Sequence, residues 1–139
     1  VFYFTDTGLA NFATRDFYLQ EFPTLGFQFQ NFIYHELKKL FGDVHYWRTK
    51  DGAEVDFIID YGKTLVPIEV KLQSLSDSKV TRGLVSFINK YNPPKAFVVN
   101  LNYQGETVFN KTVVSFIPYY SLLNPVKTQE NYLDFVLKG

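Results

Sequence analysis

The strongest pattern in the chain is the alternation of apolar and polar positions from Ala53 to Gln73. Two runs rich in β-branched residues, Glu54–Asp60 and Leu65–Lys71, flank the break Tyr61-Gly62-Lys63-Thr64, and this arrangement predicts a β-hairpin. With Gly62-Lys63 as a two-residue type II′ loop, Gly taking the position that needs φ > 0, Tyr61 faces Thr64 and Asp60 faces Leu65. Carried up the ladder, that register sets Asp56 opposite Glu69 and Glu54 opposite Lys71. Alternation then gathers Glu54, Asp56, Glu69, Lys71 and Gln73 on one face. Val55, Phe57, Ile59, Val66, Ile68 and Val70 fall on the other.

Around this hairpin the period changes. From Phe27 to Phe41, apolar residues recur at three- and four-residue spacing (Phe29, Phe32, Ile33, Leu37, Leu40), which predicts a helix ended by Gly42. Glu36 falls inside that stripe, whereas His35 falls with Gln28, Asn31, Lys38 and Lys39 on the polar side, an ordinary surface position. Tyr46–Thr49 reads as a strand. A type I′ loop at Asp51-Gly52 would set Trp47 opposite Asp56, with His45, Trp47 and Thr49 on the carboxylate face. Beyond the hairpin, Ser74–Ser78 reads as loop and Lys79–Tyr91 as a helix with Val80, Leu84, Phe87, Ile88 and Tyr91 on one side. Asn92-Pro93-Pro94 stops it. Ala96–Val99 then reads as a buried strand, and the order strand, helix, strand favours its parallel pairing with Pro67–Lys71 by a right-handed crossover. Asn102–Lys111 reads as a polar stretch with a turn at Gln104-Gly105, and Thr112–Ile117 as a further strand. At the ends, Val1–Phe4 suggests a short strand, Asp6 or Thr7 a cap for a short helix through Phe12, Ala13–Gly26 a loop, and Thr128–Leu137 a last helix. The sum is an α/β fold, a mixed sheet with helices packed on it.

Composition narrows the function classes. The 139 residues suit a single domain with a real core. The chain starts at Val1 and contains no Met, and from this we expect it to be a piece of a longer protein. Without cysteine there is neither a disulfide framework nor a thiolate metal site, and a cytoplasmic location fits. No apolar run reaches the length of a membrane span. Lys plus Arg and Asp plus Glu both number 14, so the net charge is zero. That argues against strong autonomous binding of DNA, which a basic excess normally drives, although a local basic rim is compatible with it. The 15 Phe and 10 Tyr belong mainly to the core, with some covering a surface left by missing sequence.

The candidate chemistry lies on the hairpin. Directly opposed side chains sit about 5 Å apart, where like charges repel. A divalent cation held by Asp56 and Glu69, with Lys71 beside it, would relieve that repulsion. A hairpin with one solvated face alternates in the same way, its carboxylates pointing into water. Glu36 poses a related question, because a carboxylate facing a core is costly unless it is paired or binds a metal. Gly62-Lys63-Thr64 is a decoy. A phosphate-binding loop wants a Gly where this chain has Phe57, and a helix after the Lys-Thr.

A helix carrying Glu36, a hairpin carrying Asp56 and Glu69-x-Lys71, then a helix and a buried strand resemble the core of the PD-(D/E)XK nuclease superfamily, the restriction-endonuclease-like fold. Tyr3–Leu9, Tyr46–Ile58 (Tyr-Trp-Arg-Thr-Lys-Asp-Gly-Ala-Glu-Val-Asp-Phe-Ile), Pro67–Lys71 and Arg82–Leu84 are similar, more narrowly, to the C-terminal domain of bacterial and archaeal AAA-type P-loop ATPases. The resemblance covers nearly the whole chain and is specific over Tyr46–Lys71. It implies that Asp56 and Glu69 bind Mg²⁺ or Mn²⁺, that Glu36 completes the site from the helix, and that Lys71 orients the attacking water or stabilises charge on the phosphate. That family often has Phe-Glu-Asn where this chain has Phe29-Gln30-Asn31, which leaves the role of position 30 open, and Val55 stands where a Pro precedes the Asp.

Two functions follow. The first is a metal-dependent phosphodiesterase domain acting on DNA, which the isolated domain binds weakly, attached to an N-terminal ATPase portion. The second is a non-catalytic docking, regulatory or nucleic-acid-binding module of that ATPase. The Glu36, Asp56, Glu69 and Lys71 set favours the first, and zero net charge the second.

Overall fold

The structure, a computed structural model, describes residues 22–123, with side chains from Leu25 onward. The strand at Val1–Phe4, the helix through Phe12 and the helix at Thr128–Leu137 lie outside the described residues.

Helix α1 spans Phe22–Phe41, starting ahead of the Phe27 that periodicity predicts. Neither Pro23 nor Gly26 prevents this. Pro23 falls in the first turn, where a backbone N–H has no intrahelical partner in any case. Gly26 inside a helix costs only about 1 kcal/mol. Gly42 closes α1 as expected, with φ +81 and its N–H donating to the Lys38 carbonyl at 2.9 Å.

Strands β1 (His45–Arg48), β2 (Glu54–Asp60) and β3 (Leu65–Val70) follow, then helix α2 (Arg82–Tyr91) and strands β4 (Lys95–Asn100), β5 (Gly105–Phe109) and β6 (Thr112–Pro118). A 3₁₀ turn, Tyr119–Leu123, comes last. The six strands form one mixed sheet in the order β1-β2-β3-β4-β6-β5. β4 is parallel to both of its neighbours, and all its residues are buried, as expected of a central parallel strand. The predicted parallel pairing with β3 is found as Ile68↔Phe97, Glu69↔Val98 and Val70↔Val99.

One helix covers each face. Ile33 and Leu37 of α1 pack on Phe57, Ile59, Val66, Ile68, Phe97, Val99 and Ile117. Leu84, Phe87 and Ile88 of α2 pack on Val55, Ile58, Ala96, Val98, Val114 and Phe116. The described fold is therefore mixed α/β, a sheet between two helices.

Three local readings are corrected. The segment read as a polar turn contains β5, whose alternation of half-buried and exposed residues is that of an edge strand paired only with β6. The β1–β2 loop has three residues, Lys50-Asp51-Gly52, closed by Thr49 N–H to Ala53 O at 2.8 Å with Gly52 at φ +81. Trp47 consequently pairs with Val55 and not with Asp56. Finally, β2 carries a bulge. His45 pairs with Ile58 and Trp47 with Val55, so two steps along β1 match three along β2. The extra residue flips the phase of β2. Val55 joins Ile58 on the α2 side, while Phe57 and Ile59 face α1.

Candidate functional site

The turn at Gly62-Lys63 fixes the hairpin as the sequence predicts. Gly62 has φ +75, Tyr61 N–H donates to Thr64 O at 3.0 Å, and Asp60 pairs with Leu65. The ladder continues to Phe57↔Ile68 and ends there, one step short of Asp56 and Glu69.

At that step the bulge brings the Asp56 side chain into the ladder's place. Its Oδ2 accepts the Val70 backbone N–H at 2.7 Å, and its Oδ1 accepts Gln30 Nε2 of α1 at 2.7 Å. β3 meanwhile keeps to β4, and Lys71 N–H donates to Val99 O at 2.8 Å. β2 and β3 therefore part at Asp56, and the gap between them is an open cleft lined by Glu54, Asp56, Glu69, Lys71, Thr81 and Arg82.

Glu69 is only 6% exposed, and both its oxygens are held. Oε1 lies 2.6 Å from Lys71 Nζ, and Oε2 accepts the Thr81 hydroxyl. Thr81 is the N-cap of α2, its Oγ1 also accepting Leu84 N–H at 3.4 Å. Gly83 lets that helix end come so close. A Cβ there would run into the carbonyl oxygen of Glu54 at the start of β2. α2 thus fixes Glu69 through its cap and walls the cleft with its first turn.

Burial pushes the Asp56 carboxyl up from its ordinary 3.8 to about 6. The Val70 N–H opposes this, the neighbouring charge of Glu69 adds to it, and Lys71 again opposes it. Two carboxylates in one cleft, one of them reluctant to ionise, make a place where added positive charge would be favourable. Their oxygen donors suit a hard divalent cation, which commonly takes one or two protein carboxylates and completes its shell with waters and substrate phosphate. Among the described residues, no three His, Cys, Asp or Glu side chains gather closely enough to hold a metal by themselves. Asp56 and Glu69 therefore fit a shared site, not a closed protein cage.

Of the four residues singled out from sequence, Asp56, Glu69 and Lys71 come together in this cleft. Glu36 is not among its lining residues. It is half-buried and ion-paired to Lys39 at 2.6 Å. Gln30 takes the place beside Asp56, and six residues further along a helix means about 9 Å of rise and a turn onto a different side. Glu36 flanks the apolar stripe, which runs through Ile33 and Leu37. Trp47 is away from the cleft, packed edge-on to Phe87 at 5.3 Å, with Nε1 donating to Tyr91 Oη at 3.3 Å. Of the basic residues near β1 and α2, Arg82 lines the cleft. Arg48 is an exposed partner of Glu54 at 3.8 Å, and Lys50 is exposed in the β1–β2 loop.

Gln30 and Thr81 were missed by sequence reasoning. The departure at Phe29-Gln30-Asn31 was the only signal at position 30. A Thr three residues before Leu84 is an N-cap signal that the longer predicted helix, starting at Lys79, concealed.

Among the described residues, no helix is long and apolar enough to cross a membrane. No curated protein matches the chain. Residues 25–122, which take in the whole sheet and the cleft, match the family described as Domain of unknown function (DUF4143), and the chain belongs to that family.

Proposed function

We propose that this chain is a metal-dependent phosphodiesterase domain acting on DNA in the cytoplasm, joined in its full-length protein to an N-terminal P-loop ATPase. The observation that carries this reading is the convergence of Asp56, Glu69 and Lys71 on one open cleft where β2 and β3 part. The resemblance of Tyr46–Lys71 to the nuclease superfamily, and to the C-terminal domain of AAA-type ATPases, supports it from the sequence side.

Asp56 and Glu69 are the residues that would hold Mg²⁺ or Mn²⁺. Such an ion draws charge from a phosphoryl oxygen and makes a water more acidic. The chain's own groups do the rest. Lys71, its side chain 36% exposed and its Nζ at Glu69, can reach a phosphate oxygen or the attacking water from the same cleft. Arg82 offers a second cation at the rim, suited to the flanking phosphate. Thr81 and the first turn of α2 keep Glu69 in place while Lys71 moves.

The second reading, a non-catalytic docking, regulatory or nucleic-acid-binding module of the ATPase, is favoured by the engagement of every oxygen of Asp56 and Glu69 with a donor of the chain itself. Nicking of supercoiled and branched DNA, with Mn²⁺ at low salt, separates the two. Wild type should nick slowly, with the rate falling steeply as salt rises. Lys71→Ala should lose the activity while binding Mn²⁺ at least as well as wild type, whereas Glu69→Ala should lose both. Equal nicking by wild type and Lys71→Ala would expose a contaminant. No nicking by either, even with the ATPase portion present, would favour the second reading.

A further inference from the structure

The four carboxylate oxygens of Asp56 and Glu69 are held by donors of two kinds. Val70 N–H belongs to the backbone of β3, and Thr81 is tied into the cap of α2, so neither can withdraw without undoing an element. Gln30 and Lys71 hold the other two oxygens, Asp56 Oδ1 and Glu69 Oε1, from the ends of flexible side chains that are half-buried and 36% exposed. A cation that takes one oxygen from each carboxylate must displace both. The lining also carries little surplus charge. Glu54, Asp56 and Glu69 stand against Lys71 and Arg82, one net negative charge when all are ionised. A divalent ion entering alone would leave the cleft positive and would compete with an ammonium for Glu69.

A phosphodiester changes both terms. Its oxygen is a better partner for Lys71 than a carboxylate that a cation can neutralise, so Lys71 can move to the phosphate and vacate Glu69 Oε1. The phosphate also supplies the negative charge and the further oxygen donor that two carboxylates lack. Gln30 remains the barrier on the other side. While its amide donates to Asp56 Oδ1, that oxygen is closed to a cation.

Resting on the divalent-cation reading of the cleft, we propose that Lys71 makes cation uptake conditional on a bound phosphodiester, and that Gln30, holding Asp56 Oδ1 in both states, keeps the cation's affinity low throughout. The empty cleft holds the ion weakly, and the phosphate-loaded cleft holds it more tightly. Gln30 sets the affinity on which that coupling acts, and Lys71 sets the coupling itself. Because coupling is reciprocal, the cation tightens the phosphodiester by the same factor.

The test is calorimetric titration of Mn²⁺ into the protein with and without a short single-stranded DNA oligonucleotide in excess, the oligonucleotide alone serving as blank. In wild type the oligonucleotide should tighten Mn²⁺ binding by about tenfold or more. Gln30→Leu, which opens Asp56 Oδ1, should bind Mn²⁺ about tenfold tighter than wild type with and without DNA, the coupling persisting, whereas Lys71→Met should lose the coupling. Gln30→Met keeps the length of the side chain, cannot donate and adds no charge, and it should behave in the same direction even if the Leu variant folds poorly. Wild-type affinity unchanged by the oligonucleotide, or Gln30 variants no tighter than wild type, would overturn the inference while leaving the cation site standing. Absence of Mn²⁺ binding in every protein, with and without DNA, would remove the cation reading as well.

Discussion

Asp56 is where sheet geometry becomes electrostatics. It caps the end of the β2–β3 ladder through Val70, and burial beside Glu69 raises its carboxyl from 3.8 to about 6. The folded state therefore binds this proton more tightly than the unfolded chain does. The contribution to stability is fully present below about pH 3.8 and is lost as pH rises through about 6. A shift of this size corresponds to a difference on the order of 3 kcal/mol across that window. Asp56→Asn removes the charge and keeps an oxygen for the Val70 N–H. It should be more stable than wild type at pH 8, with the advantage vanishing near pH 4, in urea denaturation at both values. A constant difference between the two proteins at all pH values would mean that Asp56 ionises as it would in water. The grouping of Asp56, Glu69 and Lys71 in one cleft was legible, because residue types and strand spacing define it. The helix residue that joins them was not. Periodicity places Glu36 and Gln30 on the same helix but cannot say which of them meets the carboxylate, because that depends on where α1 crosses the sheet.

At the scale of elements, the hairpin register was readable because the turn and the alternation both specify it. The bulge in β2 was not. A single extra residue leaves the composition of the strand unchanged, and its effect appears only where β1 and α2 claim Val55 and Ile58 for one side. β5 was hidden for a different reason: an edge strand with one covered face needs few apolar residues. The approach of α2 to β2 depends on Gly83, which yields a paired prediction. Gly83→Ala would set a methyl against the Glu54 carbonyl oxygen, and that backbone group cannot rotate away. We expect a loss of about 1–3 kcal/mol in denaturant unfolding, the usual cost of overpacking. Gly26→Ala, in α1 with nothing near the added carbon, should instead stabilise by up to about 1 kcal/mol. Equal effects at the two positions would show that α2 can shift without penalty, and the rigid wall attributed to it would be lost.

For the molecule as a whole, the sheet divides the cleft between contacts near and far in the chain. β2 and β3 meet across the four residues Tyr61–Thr64, whereas β3 reaches β4 only after α2 has crossed over. Hairpins close in about 1–10 μs, while non-local parallel pairing is slow because loop entropy is lost before contacts form. The refolding chain should acquire the hairpin first and the wall of the cleft last. Truncating Val66 to Ala should then slow folding, with a φ-value of about 0.5 or more, and Leu84→Ala should mainly speed unfolding, with a φ-value of about 0.3 or less. The reverse order in stopped-flow chevrons would place the nucleus in the crossover instead. Where the hairpin does come first, Asp56 and Glu69 lie on adjoining strands before Thr81 arrives to bind one of them. The last step of folding is then the one that draws two like charges into a half-buried site, and its rate should rise as the medium is made mildly acidic.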